Sequence, residues 1–165
     1  MSAIIWRKII SASISGSLFA ILLALIVPNA FGESISSITD YIFTFILATP
    51  VYLMYSFPVI LIYGVLTSIV SDIISNLITR KNNNKKIEVI LTVIFHVFFG
   101  LILLPFSLGA AILFLITDKL IQKSNYKFNW VHSVKSLAIP CAVWLLFMGM
   151  IYLEHIFSNL KEVLV

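Results

Sequence analysis

The sequence predicts an all-α fold, a multi-pass transmembrane helical bundle of four helices with the second and third kinked. Three observations carry that prediction. Apolar runs occupy about residues 9–28, 41–70, 87–116 and 136–154, and a helix of about 20 residues crosses a hydrocarbon layer of about 30 Å. Hydrophobic residues make up 61% of the chain and charged residues 11%, against roughly 25% charged in soluble domains. Mean hydropathy is +1.08. Four such helices and their loops use nearly all 165 residues. A single domain over residues 1–165 is expected, without space for a soluble catalytic module.

The first run follows Trp6, Arg7 and Lys8. The tryptophan suits the headgroup level. The basic pair resembles the start of a signal peptide, but the run exceeds the usual apolar core of about 7–15 residues. The exit at Val27, Pro28, Asn29 and Ala30 lacks a small-x-small cleavage pattern. Retention as a membrane helix is expected. Ser13, Gly16, Ser17, Ala20 and Ala24 recur at helical spacing, forming a small-residue face that lets another helix approach.

A serine-rich loop with Glu33 and Asp40 and no Lys or Arg follows. The second run is longer than one crossing needs and holds Pro50 and Pro58. Each proline removes a backbone donor and frees a carbonyl one turn earlier, for which Thr49, Tyr55 and Ser56 are candidate partners. Beyond it, Ser68, Ser71, Asp72 and Ser75 share a helical face.

Residues 80–86 hold four positive charges in seven positions. Basic loops stay on the cytoplasmic side, so this loop and the N-terminus are expected there. The third run contains His96, Gly100, Pro105 and Gly109. The loop after it carries Lys119, Lys123, Lys127 and Lys135, with Tyr126, Phe128 and Trp130 suited to an interface. The fourth run holds Pro140, Cys141 and Trp144. The lone cysteine excludes an intrachain disulfide and is expected to pack in the interior.

Four crossings place seven Lys and Arg inside and four outside. A five-crossing alternative folds the third run as a hairpin near Gly100 and Pro105, and raises the asymmetry to ten against one. Its 34 residues, from Glu88 to Ile121, are short for two crossings. A faint repeat favours the hairpin. Pro58 precedes Asp72 by 14 residues and Pro105 precedes Asp118 by 13, each with a glycine and a hydroxyl-Asp pair between aliphatics.

Charge inside hydrocarbon is costly and marks function by default. Asp72 and Asp118 lie at run ends, where interfacial water solvates a carboxylate. The sharper alternative is a cation or proton contact lined by Ser68, Ser71 and Asp72. His96 is the deepest ionisable group, and a neutral imidazole bonded to a neighbouring helix accounts for it. Speculative polar-site residues are thus Ser68, Ser71, Asp72, His96 and Asp118. Zinc-protease, nucleophile-elbow and phosphate-loop signatures are absent from the sequence. No catalytic residue, metal site or cofactor is expected, and no basic stripe suggests nucleic acid.

The stretch from Tyr55 through Pro58, Tyr63, Gly64 and Ser68 to Asp72 resembles the UPF0715 family of small Bacillus membrane proteins. Leu113-Phe114-Leu115-Ile116-Thr117-Asp118 is similar to a second stretch of that family. The resemblance implies a multi-pass cell-membrane protein and supplies no catalytic residue. The expected function is that of a non-enzymatic bundle or accessory protein. Its partners would be the lipid bilayer and, through the first helix, itself or another membrane protein. The alternative is a small oligomeric transporter or channel component built on the kinked runs.

Overall fold

The computed structural model describes residues 2–32, 34–79, 85–102, 105–124, 126 and 128–164. Among these the structure is helical, with no strand. Helices α1 (Ser2–Ile26), α2 (Ile38–Val59), α3 (Val65–Thr79), α4 (Lys85–Ile102), α5 (Pro105–Lys123), α6 (Trp130–Ser136) and α7 (Ala138–Leu164) follow in order. A π-helical turn, Ile60–Gly64, joins α2 to α3. Three stretches are long and apolar enough to cross a membrane: Ala3–Ile26, Ile38–Thr79 and Trp130–Leu160.

Helix α1 is the hub. It packs against α2, α3, α5, α6 and α7. The expected face of Ser13, Gly16, Ser17, Ala20 and Ala24 is buried, but Ser11, Ala12 and Ser15 are buried as well. The small residues therefore serve packing all round the helix rather than on one face. At Gly16 an added Cβ would sit 2.9 Å from the Phe57 ring. α1 stops where Pro28 cannot continue the ladder, and Gly32 then turns the chain at φ +78°. Ser37 caps α2 by accepting from the Asp40 amide, while Ser36 donates to the Asp40 carboxylate at 2.6 Å.

The second run extends past its expected end at residue 70, because the polar stretch stays helical to Thr79. Ser71, Ser75 and Thr79 each donate to a carbonyl four residues back, at 2.7–2.8 Å, and so remain compatible with burial. The expected proline partners behave in the same way. Thr49 and Ser56 bond Phe45 and Tyr52 carbonyls, one turn behind themselves, not the carbonyls opposite Pro50 and Pro58. The register changes to i→i+5 over Ile60–Gly64, in the turn after Pro58.

The third run is a hairpin, not one helix. His96 stacks on Phe114 with ring centroids 5.5 Å apart, whereas 18 residues of continuous helix would separate them by about 27 Å. Gly100 makes the close approach possible, since an added Cβ would lie 2.7 Å from Cβ of Ala111. The hydroxyl of Ser107 donates to the Gly100 carbonyl across the turn. Lys119, Lys123 and Lys135 therefore share an end of the bundle with Arg7 and Lys8, in place of the opposite end that four crossings assign them. Loop 80–86 falls outside the described residues except for Lys85 and Lys86.

Asn129 and His132 form a capping box that starts α6. Ser133 of α6 donates to the Trp6 carbonyl at 3.0 Å, and the Ser13 and Ser136 hydroxyls meet at 3.2 Å. The break at Leu137 comes three residues before Pro140, whose missing N–H leaves the last α6 carbonyls without a ladder donor. α7 then runs out to Leu164 with most of its surface exposed. Cys141 lies on that exposed surface rather than in the interior. Its neighbour Pro140 is buried.

A charge cluster and an adjoining apolar cavity

Three helices deliver ionic side chains to one point at the end of the bundle where α1 begins. Lys8 of α1 places its Nζ 2.7 Å from Asp72 Oδ2 of α3 and 3.3 Å from Asp118 Oδ2 of α5. The same ammonium donates to Ser68 Oγ at 2.6 Å. Its side chain is 0% exposed. Arg7 reaches Asp118 in a fork, Nε to Oδ1 at 2.9 Å and Nη2 to Oδ2 at 3.3 Å. Ser11 adds a hydroxyl 3.3 Å from Asp118 Oδ1. Two cations face two carboxylates, so the cluster is neutral as a whole.

Burial differs across the cluster. The Asp118 side chain is 4% exposed and that of Asp72 30%. A buried charge is tolerated when it is paired and its remaining lone pairs are hydrogen-bonded. Asp118 meets that condition through Arg7, Lys8 and Ser11. Among the described residues no buried side-chain nitrogen or oxygen lacks a partner.

The sequence places Asp72 and Asp118 at run ends, as interfacial carboxylates. Asp118 is instead buried, and the cation beside both is the chain's own lysine. Of the residues singled out in advance, Ser68, Asp72 and Asp118 come together here. Ser71 is buried nearby but turns its hydroxyl to Thr67 O. His96 is buried on α4, stacks on Phe114 and hydrogen-bonds the backbone of Ala111 on α5. Arg7, Lys8 and Ser11 escaped sequence reasoning. Basic residues ahead of an apolar run look like headgroup anchors, and their partners lie 60 to 111 positions away.

Comparison with known proteins found no match: no family model, curated protein or solved structure is similar to the chain. The arrangement itself must therefore carry the chemistry. Among the described residues no three His, Cys, Asp or Glu side chains group closely enough to hold a metal.

Above the cluster lies a cavity of about 370 Å³ between α1, α2, the π turn, α4 and α5. Its walls include Phe19, Tyr63, Gly64, His96, Phe106 and Phe114. His96 thus separates the charged floor from an apolar hollow. The register change at Ile60–Gly64 shapes one wall, and π turns are frequent at functional sites.

Proposed function

We propose that this chain is a non-enzymatic, multi-pass protein of the cell membrane that works through contacts with lipids and other membrane proteins. The observation that carries the reading is the closed charge cluster. Lys8, Arg7, Asp72 and Asp118 balance one another and use their hydrogen-bonding capacity inside the bundle. Such a cluster locks α1, α3 and α5 together and commits its four charges to one another. The small residues of α1 are covered by the chain's own helices, so contact with another protein falls to the exposed length of α7.

Five passes follow from this reading, with the cluster end in the cytoplasm. That orientation puts ten of the eleven Lys and Arg inside and leaves Lys161 outside, in the direction the positive-inside rule favours. The resemblance of residues 55–72 to the UPF0715 family implies a multi-pass cell-membrane protein and says nothing of its orientation. Reconstitution in liposomes tests the function. The expected result is no ion flux above that of empty vesicles. A flux abolished by Asp72→Asn would overturn it.

A second reading, a component of an oligomeric transporter, is favoured by one feature. The π turn and the short α4–α5 hairpin are interruptions of the kind that surround transport sites. The same flux measurement separates the two.

A further inference from the structure

We propose that the cavity between α1, α2, the π turn and the α4–α5 hairpin holds one alkyl chain of a bilayer phospholipid, entering sideways past Tyr55, Val59 and Phe106. The proposal rests on the reading that the bundle lies in a bilayer, and it names the lipid contact.

The lining excludes polar ligands first. Tyr52 donates to Val27 O at 2.9 Å, Tyr63 to Phe99 O at 3.0 Å, Ser56 to Tyr52 O at 2.7 Å and Thr67 to Tyr63 O at 2.9 Å. Their donor protons are committed to backbone carbonyls, and what remains toward the hollow is mainly ring and methyl surface. A sugar, nucleotide or ion would lose its hydration there without replacement. Apolar hollows also stay dry.

Shape narrows the choice further. Tyr52 and Thr67 both line the cavity, and 15 residues separate them, about 22 Å of helix. A volume of about 370 Å³ along that length is a slot. A partner helix, about 10 Å across with side chains, would need several times as much. A single extended hydrocarbon chain fits the proportions.

The mouth faces lipid. Tyr55 is 70% exposed, and Val59 and Phe106, which line the same cavity, are exposed and apolar. Tyr55 lies two residues before Phe57, which packs on Gly16 midway along α1, and so sits inside the apolar span. Its hydroxyl makes no hydrogen bond among the described residues. A phospholipid of the surrounding bilayer would keep its head group at the interface and pass the end of one alkyl chain through this mouth toward His96.

The experiment uses the full chain in vesicles of phosphatidylethanolamine and phosphatidylglycerol with a trace of phospholipid carrying a diazirine in one acyl chain. After irradiation, crosslinked peptides are mapped by mass spectrometry. Labelling within residues 52–67 and 106–114 is expected to exceed labelling of residues 145–157 on α7, which sample bulk lipid. Ser56→Trp and Ala110→Phe, made separately, each fill the slot. Each is expected to lower cavity labelling by roughly tenfold, about 1.4 kcal/mol of preference, with α7 labelling unchanged. Cavity labelling no stronger than that of α7 in the unmodified protein overturns the proposal, as does labelling undiminished in both variants. Labelling by a diazirine fatty acid but not by the phospholipid overturns it too. Loss of α7 labelling as well would instead overturn the bilayer placement.

Discussion

Lys8→Met tests the charge cluster most directly. Methionine keeps the apolar stem and removes the ammonium that bridges Asp72, Asp118 and Ser68. Removing one partner of a buried ion pair costs about 3–5 kcal/mol, because the other charge is left uncompensated. Here the loss falls at the lower end for two structural reasons. Asp118 keeps the Arg7 fork at 2.9 and 3.3 Å, and Asp72 is 30% exposed, so water reaches it. About 3 kcal/mol is expected. At about 2–4 °C per kcal/mol for a chain of this size, Tm should fall by about 6–12 °C. The assay is thermal unfolding of the detergent-purified protein, read by loss of monodisperse protein after heating. Lys8→Met combined with Asp72→Asn neutralises the stranded carboxylate and should recover at least half of the loss. A single variant that melts with the unmodified protein would refute the reasoning, since a fully buried ammonium between two carboxylates cannot be removed at no cost. A double variant no better than the single would show that Asp72 is not the charge left exposed.

Three further predictions follow from packing and placement. Gly100→Ala should destabilise the α4–α5 hairpin by about 1–3 kcal/mol, the range for overpacking, because its Cβ meets Ala111 at 2.7 Å; adding Ala111→Gly should restore the melting temperature, and failure to do so would place the strain elsewhere. Single cysteines at positions 82 and 125, in a chain whose exposed Cys141 is first replaced by alanine, should label from the same side of the membrane; opposite sides would reject the hairpin. Gly16→Leu should destabilise more than Ala12→Gly, because its side chain is driven into Phe57 at 2.9 Å, and equal melts would show that α1 and α2 do not approach so closely.

Much of the fold was legible because lipid as solvent leaves few choices. Runs long enough to span must be helical, since backbone groups find no partner in hydrocarbon otherwise. The hairpin was harder to see. The break lies inside an apolar stretch between His96 and Thr117 that Ser107 alone interrupts, and its marks are Gly100, Pro105, Gly109, the basic asymmetry and the faint repeat. The decisive fact is the contact between Gly100 and Ala111, which composition cannot reveal. The helical face of Ser68, Ser71, Asp72 and Ser75 was legible, but the run's unbroken continuation past residue 70 to Thr79 was not. Serines and threonines look like an exit from the membrane, but at every fourth position each can return its proton to its own helix. The cluster was half legible. Its carboxylates stand out against 61% hydrophobic sequence, whereas Lys8 carries no local mark of burial.

The faint repeat gains meaning from the π turn. Pro58 to Asp72 spans 14 residues and Pro105 to Asp118 spans 13, yet both carboxylates arrive at the same ammonium. In an unbroken α-helix the extra residue would rotate Asp72 by about 100° and advance it by about 1.5 Å relative to its counterpart. The segment Ile60–Gly64 lies within the longer stretch and nowhere in the shorter. An i→i+5 turn takes up one more residue than an α turn, so it absorbs the difference and returns Asp72 toward the face that Asp118 occupies. The same widened turn forms a wall of the cavity. One local irregularity thereby serves both ends of the site. Its removal, by deleting one residue within 60–64, should restore a plain α-helix with the 13-residue spacing of Pro105 to Asp118, keep Asp72 on its face and narrow the hollow alone. A deletion variant that loses as much thermal stability as Lys8→Met would show that Asp72 has left the ammonium, and would refute that compensation.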